Sequence, residues 1–277
     1  MTIRIVTDST CDLPSDTVTR FGIRIVPMYI NVGSQSYLDG IDMQREEFYT
    51  KLPNFPHHPT TAVPSMEKFR NAYASLEQEG ASEILSIHIA TALSGVVGVA
   101  QSAAREYKGP PVTVLDSRQL SLGTGFLVET AAKMAATGSK MTEIRAALES
   151  QIKRSHVFAG LNTLEFLRRS GRMNTFMASL GALLKLKPIL KMYDGKPATE
   201  RVRTSDGALK RLVELLDQIG PLERVAIVHT HAEGRVAELQ TAAASLLPEG
   251  DILIANITPV IGAHIGPGAV GFAAISK

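Results

Sequence analysis

The stretch that decides the fold runs from residue 83 to residue 125: EILSIHIATALSGVVGVAQSAAREYKGPPVTVLDSRQLSLGTG. Ile84 to Ile89 is a short apolar run with the length of a buried strand, and it stops at Ala90-Thr91-Ala92. Leu93-Ser94-Gly95 follows, and the small residues from Val97 to Tyr107 read as a helix. Val112 to Leu115 is the next strand, ending at Asp116-Ser117, and Gly123 and Gly125 precede another helix. Strands alternating with helices specify an α/β protein with a mainly parallel sheet and helices on both faces. Ligands of such sheets sit at the carboxyl ends of the strands, where Thr7-Asp8-Ser9, Thr91 to Ser94 and Asp116-Ser117 fall.

Upstream, Ile3, Ile5 and Val6 form a strand, and Asp12-Leu13-Pro14-Ser15 starts a helix with Ser15 as its cap. Ile23 to Val32 is a second β-branched run, followed by a polar loop around Gly33. Leu52 to Pro64 holds four prolines and the pair His57-His58, and it reads as an irregular loop. Helical spacing resumes at Ser65, with Phe69, Tyr73 and Leu76 on one face.

Downstream, the texture changes from Val157. A helix with a basic end covers Leu164 to Arg172, and Phe176 to Leu190 is apolar enough for the wall or lid of a site or for core. A hairpin centres on Asp194-Gly195, an amphipathic helix covers Ser205 to Ile219, and a strand (Val225 to Val228) and a helix (Glu233 to Leu247) follow. Ile252 to Ser276 has no charged residue and is long enough to span a bilayer. Pro259, Pro267, four glycines, Asn256 and His264 interrupt it, so it reads as two buried strands around a Gly/Pro loop. The expected organisation is therefore two α/β domains, residues 1–155 and 156–277, the second with a more mixed sheet, and no integral membrane segment.

Composition narrows the function. Of 277 residues, 44% are apolar and 20% charged, which suits a globular protein. A net charge of +2 with dispersed Lys and Arg, 5% aromatics and no Trp argue against nucleic acid. The single cysteine, Cys11, excludes an internal disulfide and fits a reducing, cytoplasmic setting. Gly266-Pro267-Gly268-Ala269-Val270-Gly271 has the spacing of a dinucleotide loop, but only six residues follow it, too few for the helix and strand that such a site needs. His229-Thr230-His231 would place two imidazoles on one strand face, with no further metal ligand nearby in sequence. No phosphate loop, metalloprotease motif or nucleophile elbow occurs.

What is left is a set of hydroxyls at strand ends and loops: Thr61, Ser65, Thr91, Ser94 and Ser117. A hydroxyl with no assigned base is a poor nucleophile, yet it donates well to a carboxylate. Taken singly, each also suits a helix cap or turn.

Blocks along the whole chain resemble the DegV family of bacterial lipid-binding proteins. They are TDSTCDLP at the start, TAVPS at Thr61 to Ser65, LSGVV at Leu93 to Val97, and VLDSRQLSLGTG at Val114 to Gly125. LEFLRRSGRM at Leu164 to Met173, LKLKPIL at Leu184 to Leu190 and GAHIGPGAVGFA at Gly262 to Ala273 complete the series. The resemblance implies a long-chain fatty acid lying in an apolar tunnel between two domains. Its carboxylate is expected at the hydroxyls of Thr61 and Ser94 and the amide of Gly95, with His264 and Arg172 beside it and Arg203 near the mouth. Small residues (Ala90, Gly95, Ala100, Ala103, Gly181, Ala182) are expected to leave room for the chain. Ala62, Val63, Val96 and Val97 stand where the family often carries polar groups.

The resemblance further implies a carrier, not an enzyme, that needs no cofactor and presents the acid to a separate ATP-dependent fatty acid kinase. The competing reading is an enzyme, either an acyl hydrolase built on Ser94 and His264 or a phosphotransferase. A lipid-occupancy sensor is a third.

Overall fold

The structure is a computed structural model and describes residues 2–176 and 187–277. In chain order the first half comprises β1 (Ile3–Asp8), α1 (Ser15–Phe21), β2 (Arg24–Val26), β3 (Tyr29–Val32), β4 (Gln35–Leu38), α2 (Arg45–Lys51), β5 (Thr60–Ala62), α3 (Met66–Gln78), β6 (Glu83–His88), α4 (Val96–Glu106), β7 (Val112–Asp116), α5 (Leu122–Ala136) and α6 (Met141–Ile152). The second half comprises β8 (Ser155–Gly160), α7 (Glu165–Arg169), α8 (Met173–Phe176), β9 (Lys187–Tyr193), β10 (Lys196–Val202), α9 (Ser205–Gln218), β11 (Leu222–His229), α10 (Glu233–Ala242), β12 (Leu253–Asn256), α11 (Pro259–Ile265) and β13 (Val270–Ser276).

The first half is built on a parallel sheet in the order β2-β1-β6-β7. Alternation sends Ile3, Ile5, Leu85 and Ile87 to the side covered by α1 and α5. Val6 and Ile84 go to the side covered by α3 and α4, where Phe69, Tyr73 and Leu76 are fully buried as their spacing predicts. The second half is a mixed sheet in the order β10-β9-β8-β13-β11-β12, in which only β11 and β12 run parallel. Phe158, Ile189, Ile227 and Phe272 pack under α9 and α10. On its other face Val157, Ala159, Leu190 and Met192 join the core of the first half. Helix α5 lies between the two sheets and is buried almost all round, which explains its lack of a polar stripe.

Several local expectations are corrected. Ser15 is the first helical residue of α1 and not its cap; Pro14 holds the cap position without a side-chain bond. Gly123 and Gly125 lie inside α5, where a Cβ would strike Val157 and the carbonyl of Cys11, so close packing explains them. The run from Ile23 to Val32 divides at Pro27: β2 joins the parallel sheet, and β3 starts a separate antiparallel sheet, β4-β3-β5. The proline-rich segment contains β5, paired with β3 so that Thr61 lies opposite Ile30. The uncharged terminal segment holds a helix, α11, between its two strands. The hairpin is as expected, with Asp194 and Gly195 both at positive φ, the turn type that suits a two-residue connection. Most of the segment from Phe176 to Leu190, including Gly181 and Ala182, lies outside the described residues.

Helix α11 is set by contacts on its far side. Gly262 faces the Tyr49 ring so closely that a Cβ there would run into it, and Tyr49 donates from its hydroxyl to the Ile257 carbonyl at 3.0 Å. Replacing Gly262 by Ala is expected to overpack this contact and destabilise the fold by about 1–3 kcal/mol. Denaturant unfolding of the two proteins side by side measures it, and an unchanged midpoint would show that the contact yields freely.

Candidate functional site

Between the two sheets lies a cavity whose space for water-sized groups is about 80 Å³. Its body is apolar. Val157, Ala159 and Leu161 come from alternate positions of β8 and the residue after it, and Leu190 and Met192 come from the facing rungs of β9. Val260, Ile261 and Ile265 come from one side of α11. The lining also includes Lys191, whose ammonium is held by Glu200 within 2.5 Å on the sheet face shared with Arg211 of α9.

Four polar residues of the lining come from four places in the chain. Thr61 is the inward residue of β5, between exposed Thr60 and Ala62. His264 sits in the last turn of α11, and its Nε2 lies 2.9 Å from Thr61 Oγ1. Ser94 ends the loop after β6, and its hydroxyl has no hydrogen bond among the described residues. Arg172 follows α7, where Gly171 at φ +73° reverses the chain and the Arg172 amide bonds back to the Leu167 carbonyl at 3.1 Å. That is a glycine helix stop, and it carries the Arg172 side chain to the cavity. Thr61, Ser94, Arg172 and His264 thus line one cavity. Gly95 does not line it; it precedes the first turn of α4, directly after Ser94, with no side chain capping that helix.

Burial, with the Arg172 and His58 charges adding to it, holds His264 neutral, its pKa pushed down to about 4. Its Nδ1 is buried with no hydrogen-bond partner among the described residues. That suits the tautomer with Nε2 protonated, in which the imidazole donates to Thr61 and leaves the Thr61 proton for another acceptor. Among the described residues the lining contains no Asp or Glu. An apolar chain with an anionic head matches this distribution.

The other hydroxyls are structural. Ser65 caps α3 by accepting from the Lys68 amide, Ser117 donates to the Gln119 carbonyl, and Thr91 is exposed. Ala90, Ala100 and Ala103 are packed into cores and do not line the cavity. His231 lies past the end of β11 at positive φ, so strand alternation does not pair it with His229, whose Nδ1 accepts from the Ala232 amide. Thr10, Ser121 and Met28 line the cavity without having been singled out in the sequence. Thr10 and Ser121 share the signal that marked the others, a hydroxyl just past a strand end.

A buried chain of hydrogen bonds lies beside the cavity: Tyr73 to Ser86 (3.2 Å), Ser86 to His88 (2.7 Å) and His88 to Asp8 (3.0 Å). It has the members of a hydrolytic triad, yet Ser86, His88 and Asp8 are all fully buried. It therefore holds β1 to β6 and offers no nucleophile to a substrate. Ser94 and His264 share no hydrogen bond among the described residues, and no carboxylate orients His264.

The model of the DegV family, described as one of uncharacterised proteins, matches residues 2–277. A DegV domain-containing protein of Mycobacterium tuberculosis is 34% identical over 276 residues, 98% of this chain and 96% of its own length. A DegV family protein from Thermus thermophilus, described by its fatty acid binding, superimposes with a TM-score of 0.90 at 35% identity over 100% of both chains. DegV of Bacillus subtilis, a fatty acid binding protein, does so with a TM-score of 0.91 at 28% identity, also over 100% of both.

The depressed His264 pKa has a definite sign. Unfolded histidine takes a proton near pH 6.5 and the folded residue only near 4, so this group's contribution to stability is lost as pH falls across that window, by about 3 kcal/mol in all. Asp39, pushed up to about 6 by burial, acts oppositely over part of the same range. Comparing the parent with His264→Asn, which shares Asp39, isolates the term. The parent is expected to lose stability faster between pH 6.5 and 4, with the His264 ring resonances titrating near 4; a ring midpoint near 6.5 would contradict the buried, neutral assignment.

Proposed function

The chain belongs to the DegV family, and from that footing we propose that it binds a long-chain fatty acid with its carboxylate at Thr61 and Ser94. The observation that carries this reading is the cavity's lining: mostly apolar side chains, the hydroxyls of Thr61 and Ser94, Arg172 and a neutral imidazole among them, and no acidic residue in the described lining. Each methylene taken from water is favourable by about 0.8 kcal/mol, so an acyl chain supplies ample driving force. The head is held by hydrogen bonds to an ionised acceptor, each contributing about 1.5–3 kcal/mol. The Ser94 hydroxyl and the Thr61 proton freed by His264 are the donors.

The protein acts as a cytoplasmic carrier without cofactor or chemistry of its own, and a separate ATP-dependent fatty acid kinase phosphorylates the presented carboxylate. Residues 1–155 and 156–277 act as the two domains that enclose the ligand. The missing Ser94–His264 bond and the unoriented imidazole support a binding role over hydrolysis. Cys11 is buried, its thiol pushed up to about 12 by that burial, and so is inert.

Mass spectrometry of an organic extract of the purified protein is expected to show one long-chain acid at close to one per chain. Thr61→Val and Ser94→Ala should each weaken retention of labelled oleate roughly ten- to hundredfold. Undiminished retention in the double variant would remove the carboxylate from this end of the cavity.

A further inference from the structure

Two carboxyl groups, Asp12 and Asp39, are buried beside the start of α11, 2% and 5% exposed. One guanidinium, that of Arg45, lies near both, and they do not share it evenly. Asp12 takes the ion pair with Arg45 at 3.1 Å, and it accepts from the Thr258 amide at 2.9 Å and the Ser121 hydroxyl at 2.6 Å. Asp39 is bonded through neutral hydroxyls, those of Thr258 and Ser9. A buried carboxyl group with neutral donors keeps its proton to a higher pH than an exposed one. Burial accordingly pushes Asp39 up to about 6, and raises Asp12 as well. The other ionisable groups packed around the cluster, the Tyr49 phenol and the Cys11 thiol, are pushed up by burial and stay neutral.

Two independent routes through the fold lead from Asp39 to the Thr61–His264 pair. Thr258, bonded to Asp39, caps α11, and His264 lies six residues on, about 9 Å away at the helical rise. Leu38, next to Asp39, pairs with Tyr29, and Tyr29 pairs with Ala62, next to Thr61. That route crosses two strand spacings of about 4.8 Å each, so the two agree. At such a range inside a protein, two like charges repel strongly enough to shift an equilibrium about tenfold.

We propose that Asp39 ties the affinity for the fatty acid to its own proton, the ligand being held more tightly when Asp39 is protonated and more loosely when it is ionised. This rests on the fatty-acid reading above and adds a regulation to it. A carboxylate head at Thr61 and Ser94 is repelled by an ionised Asp39 and not by a neutral one. The coupling is reciprocal, so an anionic head makes Asp39 hold its proton more tightly by the same factor. Uptake is favoured where Asp39 is neutral, and release where it has lost its proton. His264 and His58 gain charge as the pH falls and act in the same direction, but burial lowers both.

Laurate affinities of the delipidated full-length protein between pH 5.5 and 8 test the proposal, with Asp39→Asn measured beside the parent. The two proteins share both histidines and the ligand's own titration, so the difference between their profiles isolates Asp39. The parent is expected to lose affinity about tenfold more than the variant across this range. A second measurement does not depend on the variant's folding: the Asp39 carboxyl resonance of the labelled parent should titrate about one pH unit higher with laurate bound than without. Parallel profiles in parent and folded variant, or an Asp39 midpoint that laurate leaves unmoved, would overturn the proposal while leaving fatty-acid binding intact. Failure of the parent to bind laurate at any pH would instead remove the fatty-acid reading, and this one with it.

Discussion

The carboxyl group of Asp12 is the point through which the two halves of the chain are held around the cavity. It receives the Ser121 hydroxyl from the start of α5, the Thr258 amide from the start of α11 and the Arg45 guanidinium from α2. Arg45 also donates to the Asn256 carbonyl, and Thr258 donates from its hydroxyl to buried Asp39. A buried carboxyl group is costly unless it is fully bonded, so removing any one partner leaves the others unsatisfied. The position of α11, and with it His264, follows from this set of bonds. Asp8 does similar work one turn earlier: it accepts from the Thr10 amide and hydroxyl, the Ile89 amide and His88, fixing two residues of the cavity wall.

Much of the fold was legible because its elements obey simple periodicities. The strand at Ile84 and the face formed by Phe69, Tyr73 and Leu76 stand where spacing places them, and the turn at Asp194-Gly195 is one that its residues favour. Of the elements that escaped notice, two carry the site. β5 is three residues long and hidden among four prolines; its only pattern is one inward residue between two exposed ones. α11 is seven residues long, starts with a proline and is buried on both sides, by the cavity and by Tyr49, so no polar stripe announces it.

The site residues were legible for a different reason. Thr61, Ser94, Arg172 and His264 are 203 positions apart at the extremes, and no local spacing links them. They are brought together by family-wide blocks, whereas Thr10 and Ser121, inside the same blocks, are not singled out by the sequence. What separates a turn hydroxyl from a wall hydroxyl is which way it faces, and that is decided by tertiary bonds such as those to Asp8 and Asp12.

The cavity has a thermodynamic consequence for the protein as a whole. Its walls, Val157, Ala159, Leu190 and Met192, belong to the same apolar cluster that joins the two sheets, so the cavity is continuous with the core. A ligand that fills it binds the folded chain and not the unfolded one, and adds stability in proportion to the logarithm of its concentration. On the reading proposed, the loaded protein is therefore the more stable form.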